Sequence, residues 1–129
     1  VTLPDLTDIR YGDGIFSDPE AVTRLARQLN NANSRAAAAS LIVKPDAGLL
    51  FGITVSSVTA QFIQVFDLTA VPADGVVPLL SFAVTATNQL GVAWIPPRGF
   101  NNGIVLCNSS TQHTKTIGSA NCIFDAQFL

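Results

Sequence analysis

The sequence predicts an all-β domain: an antiparallel β-sandwich, jelly-roll-like, of about seven strands, preceded by an N-terminal arm with one short helix. Three observations predict it. First, the polar residues are of the wrong kind for exposed helices. The 129 residues include 11 Thr, 9 Ser, 8 Asn and 6 Gln, but only one Glu and two Lys. Thr, Ser and Asn suit strands and turns, whereas Lys and Glu coat solvated helices. Second, from about residue 35 short β-type runs recur between Pro- and Gly-rich turns. Third, no helical pattern lies between those runs, which excludes a parallel α/β sheet.

The elements follow in order. Residues 1 to 16 read as an extended arm, with the turn cluster Tyr11-Gly12-Asp13-Gly14 near its end. Asp18 can cap a helix and Pro19 fits its first position, where the missing N–H costs nothing. Val22, Leu25, Ala26 and Leu29 then fall at helical spacing, and Asn30, Asn31 and Asn33 are expected to stop the helix. The division is therefore 1–34 for the arm and 35–129 for the sandwich. Strands are expected at Ala38–Val43, Leu49–Val58, Gln61–Leu68, Leu79–Thr87, Leu90–Ile95, Ile104–Asn108 and Cys122–Phe128. Pro96-Pro97 is expected to close the fifth of these. Phe62, Val65, Phe82, Trp94, Val105 and Phe124 are the expected core.

Hydrophobic residues make up 48% of the chain, which excludes a disordered protein, and the length suits one domain. A net charge of −2 argues against a nucleic-acid partner, which demands Lys and Arg against phosphate. Apolar stretches of about eight residues fall well short of the roughly 20 that a spanning helix needs. The first ten residues lack the apolar core of a signal peptide.

Catalytic chemistry finds little to work with. The single histidine, His113, lies in the polar turn Ser109–Lys115, without a strained elbow or an orienting acid, so no catalytic residue is assigned. Asp5, Asp8, Asp13 and Asp18 do not match calcium-loop spacing, and neither metal nor cofactor is expected. Asp67 and Asp125 each adjoin a Phe on a strand, which places them on the solvent face or as loop anchors. Cys107 and Cys122 would face each other if the last two strands formed a hairpin. A disulfide is then allowed, and reduced thiols are the expectation in the absence of a leader. Asn108-Ser109-Ser110 matches a glycosylation sequon. Tyr11, Trp94 and Phe100 are the aromatics available to a ligand, with Arg98 beside Phe100.

Several stretches resemble one family. They are Gly103–Thr111, Thr114–Asp125, Ala60–Asp67, Val71–Pro78 and Arg98-Gly99-Phe100, so that the likeness spans roughly residues 48 to 129. Together they are similar to small virion-associated proteins of tailed bacteriophages. The resemblance implies a structural β-sandwich on the capsid surface, of the decoration (cement) type, with the major capsid protein or another virion protein as partner. It also implies a homo-oligomer, a trimer by analogy with decoration proteins on local threefold axes. A fibre, spike or tail-associated module that binds host carbohydrate or protein is the alternative. The arm is not covered by the likeness. Its apolar stripe Val22, Leu25 and Leu29 is the expected attachment or oligomer contact, and Arg98, Phe100 and Tyr11 are the expected surface-loop contacts. If the arm is incidental, attachment falls to the loops around Pro72–Val77 and Pro96–Asn102.

Overall fold

The computed structural model describes Glu20, Thr23, Arg24 and residues 28–129. Tyr11, Val22 and Leu25 lie outside the described residues, as do the four aspartates before Pro19. Glu20, Thr23, Arg24 and Gln28 have helical backbone. Eight strands follow among the described residues: β1 (Asn30–Asn33), β2 (Ser40–Lys44), β3 (Gly48–Ser57), β4 (Gln61–Phe66), β5 (Leu80–Val84), β6 (Asn88–Phe100), β7 (Ile104–Ser109) and β8 (Cys122–Phe128). They form two antiparallel sheets, in the orders β1-β8-β3-β6 and β2-β7-β4-β5. The chain is an all-β sandwich.

The core lies between the sheets, and alternation along the strands fills it. Leu50, Ile53 and Val55 come from β3, and Phe124 and Ala126 from β8; Ile63 and Val65 of β4 and Ile104 and Leu106 of β7 meet them from the other sheet. Burying each such side chain contributes about 1.5–3 kcal/mol. One end of this core is polar. The Gln61 amide donates to Ser57 Oγ at 2.6 Å and Asn121 Oδ1 at 2.9 Å, and the Asn108 amide donates to Ser119 O at 2.7 Å. These bonds satisfy groups that could not otherwise be buried.

Four expectations need correction. Asn30–Asn33 does not merely stop a helix but forms β1, paired with Asp125–Phe128 of β8. The sandwich thus begins within the 1–34 segment. β8 offered an open edge with hydrogen-bonding groups that had to be met, and this outweighs the weak strand preference of asparagine. β6 does not end at Ile95. It runs on through the cis Ile95–Pro96 bond to Phe100, with Arg98 opposite Leu50 and Phe100 opposite Gly48. Two consecutive prolines are tolerated because they sit where the β3–β6 ladder breaks register, between Ala93 opposite Gly52 and Arg98 opposite Leu50, on an edge strand.

The third correction concerns the last two strands, which form no hairpin: β7 and β8 belong to different sheets. Both cysteines are free, buried thiols, Cys122 in the main core and Cys107 in a separate cluster with Phe66 and Val105. Fourth, of the expected core residues, Val65 and Phe124 are fully buried there, whereas Val105 sits in the second cluster. Phe82 and Trp94 are half-buried at the core margin, their rings edge-on at 6.3 Å. Phe62 is half-buried and stands on the other face of β4 from Ile63 and Val65.

Candidate attachment surface

The outer face of the β2-β7-β4-β5 sheet is unusual in carrying apolar residues. Phe66, Val105 and Cys107 are buried there, with Leu68 packed on them. What covers them is the chain itself: residues 67–79, between β4 and β5, and residues 110–121, between β7 and β8. Every residue of β7 is therefore buried, on both faces of the strand.

Polar side chains pin these two segments. Gln64 is fully buried, and its amide donates to the carbonyl oxygens of Thr111 at 2.8 Å, Gln112 at 3.2 Å and Thr114 at 3.1 Å. Ser109 Oγ accepts from the Thr111 and Thr116 N–H groups at 3.1 and 3.0 Å. Lys115, only 4% exposed, reaches Asp74 Oδ1 at 3.1 Å, and the Ile117 N–H donates to the same oxygen. The backbones meet here as well, with Gly75 N–H on Lys115 O at 2.7 Å and Lys115 N–H on Val76 O at 2.8 Å. The Lys115 ammonium and then the Ile117 N–H hold the Asp74 carboxyl below its ordinary pKa.

Asp67 is a loop anchor, as expected. Its carboxylate accepts from the N–H groups of Asn102 at 2.8 Å, Asn101 at 3.2 Å and Gly103 at 3.3 Å, fixing the turn between β6 and β7. Burial raises its pKa, but these donors outweigh it and the net direction is down.

On this pinned framework the two segments display aliphatic side chains to solvent: Val71, Val76, Val77, Leu79 and Ile117. Val77 is 71% exposed. Apolar residues are commonplace singly on a surface, but several on two mutually bonded loops make a candidate contact surface. A Thr- and Ser-rich turn around exposed His113 lies beside it. Cys107, beneath, offers no nucleophile, because burial pushes its thiol up to about 11.

The residues singled out from the sequence fare unevenly. Phe100 is not a surface contact: it is 3% exposed and belongs to the core. Its buried side chain follows from the extension of β6, which turns an apparent loop residue into an inward strand position. Arg98 is half-buried on β6 rather than on a loop. Leu29 is half-buried immediately before β1, whereas its companions Val22 and Leu25 lie outside the described residues. Asn108, the sequon residue, is fully buried and closed to modification. Asp125 faces outward and accepts from the Asn33 amide at 3.1 Å. The aliphatic residues Val76, Val77 and Ile117 were not singled out as contacts one by one. The available signal is their position, apolar residues inside stretches marked as turns by Pro72, Gly75, Pro78 and Gly118.

An open depression of about 580 Å³ lies at one end of the sandwich, lined by Ser56, Val58, Thr87, Asn88, Asn121 and Ile123 among others. Thr87 adopts a φ of 55° there. No group of three or more His, Cys, Asp or Glu side chains among the described residues could hold a metal ion. No protein-family model, curated protein or solved structure matches the chain.

Proposed function

We propose that the protein is a non-catalytic structural component of a phage virion, a decoration (cement) protein that binds the outer head shell and stabilises it. The observation that carries this reading is the loop surface formed by Val71, Val76, Val77, Leu79 and Ile117 over a backbone fixed by Gln64, Asp74 and Lys115. A shell contact repeated over many identical copies calls for apolar anchors that need little ordering on binding. A charge-poor surface lets neighbouring copies approach without repulsion. The resemblance of residues 48–129 to virion-associated phage proteins, read from the sequence alone, points to the major capsid protein or another virion protein as partner.

The arm, with Val22, Leu25 and Leu29, adds a second contact, and many weak contacts on one particle combine through avidity. The test is co-sedimentation of the purified protein with tailed-phage heads stripped of outer proteins. Wild type should pellet with the heads and raise their melting temperature. The double variant Val77→Asp, Ile117→Asp should fold and fail to bind. Wild-type protein that ignores heads yet binds host-cell envelopes would replace this reading with the fibre or tail alternative.

A further inference from the structure

The long edge strand β6 has backbone groups with no neighbour among the described residues, and their identity follows from the ladders. Cys122 and Ala38 exchange both backbone bonds, and Ser34 N–H reaches Phe124 O at 2.9 Å, so the inward residues of β8 spend their bonds on the β1 side. Ile123 and Asp125 therefore turn theirs toward Ser56 and Thr54 of β3. Alternation then directs Ile53 and Val55 toward Val92 and Leu90 of β6. What remains at the free edge is the N–H and C=O of Gln89, Gly91 and Ala93.

Over Asn88–Ala93 this edge carries none of the devices that keep edges apart; those begin only at Trp94–Pro97, where β6 breaks register with β3. Natural sheets blunt them with lysine, proline, bulges or inward charge. Asn88–Ile95 holds no charged residue and no proline before Pro96. Behind it, Leu90, Val92 and Trp94 are only half-buried at the margin of the core. Gly91 adds an independent mark. Its φ is not positive, and a Cβ built on it would meet nothing within 4 Å. Neither conformation nor packing within the protomer calls for glycine there, and an interior strand glycine marks a close approach by another backbone.

We propose that β6 is a self-pairing edge: a second copy of this chain adds its own β6 antiparallel, about a two-fold axis at Gly91. Gly91 then bonds Gly91 of the other copy, and Gln89 bonds its Ala93. Leu90 falls opposite Val92, in the closer, non-hydrogen-bonded pairing that brings side chains together. Pairing stops past Ala93, where β6 breaks register with β3 and Pro96 then removes a donor. The run is complementary to itself in this register, with no charge to oppose its own copy, which is what an isologous interface demands. The result is a dimer with one continuous eight-stranded sheet, not the trimer that the resemblance implies.

The test exchanges Gly91 for charged residues, since the protomer has room for a side chain there. Gly91→Lys and Gly91→Glu should each fold and each weaken dimerisation by at least about tenfold, because like charges meet at the axis. Mixed one to one, they should dimerise again, as read by analytical ultracentrifugation. In wild type, the amides of Gln89, Gly91 and Ala93 should gain exchange protection as protein concentration rises, while those of Leu90 and Val92 are protected throughout. A wild-type monomer at all concentrations would overturn the proposal. So would an oligomer that forms while the 89, 91 and 93 amides exchange freely, or charge variants that dimerise as wild type does.

Discussion

At Gln64 a single primary amide donates to three carbonyl oxygens of one turn, while its own Oε1 finds no partner. The side chain is a clamp on the 111–114 backbone, and its position opposite Cys107 on β7 makes the clamp part of the sheet. Gln64→Leu keeps much of the volume but abandons those carbonyls, each of which must be satisfied if it stays buried. It should cost about 1–3 kcal/mol in denaturant unfolding and speed amide exchange in residues 110–117. Nothing in the sequence distinguishes this glutamine from Gln61, whose amide closes the far end of the core. Alternation places Gln64 on the outer face, but only the return of the 110–121 segment over that face makes it buried. The same return buries Cys107, which only a hairpin of the last two strands would have set beside Cys122.

At the level of elements, strands whose apolar residues face one core were legible and edges were not. β3, β4, β7 and β8 announce themselves by alternating or continuous apolar residues, and their expected bounds come close to those observed. β1 has no such pattern in Asn30–Asn33, since a four-residue edge is held by the ladder it completes. β6 was cut short at its prolines, because sequence does not show that an edge strand breaks register there, leaving Trp94–Pro97 out of the ladder, and then resumes. That truncation also misplaced Phe100. Burial ranks the phenylalanines accordingly. Phe124→Ala, at a fully buried site, should cost about 3–5 kcal/mol. Phe62→Ala, on the half-buried outer face, should cost clearly less, and chemical denaturation of the two variants side by side measures the difference.

For the molecule as a whole, two carboxylates tie the loop surface to the sandwich, Asp67 at the β6–β7 turn and Asp74 on Lys115. Both have pKa values below the ordinary 3.8. Their stabilising effect is thus complete above pH 3.8 and is lost as pH falls through the depressed values. The Ile117 amide, bonded to Asp74, should report that loss in an acid titration by NMR, and head binding should weaken with it. Asp74→Asn should already be loosened at pH 7 and show no such acid step at Ile117.

The place of β8 bears on how the molecule meets mechanical load. It is the last strand in the chain yet lies inside its sheet, between β1 and β3, and beyond it Leu129 exchanges both backbone bonds with Leu49. A pull applied through Leu129 cannot peel bonds away one at a time from an open side. It must slide β8 against two ladders together and drag Phe124 out of the core in the same motion. Force along β8 enters in shear rather than as an unzipping, so tension from that end is borne by both of its ladders at once.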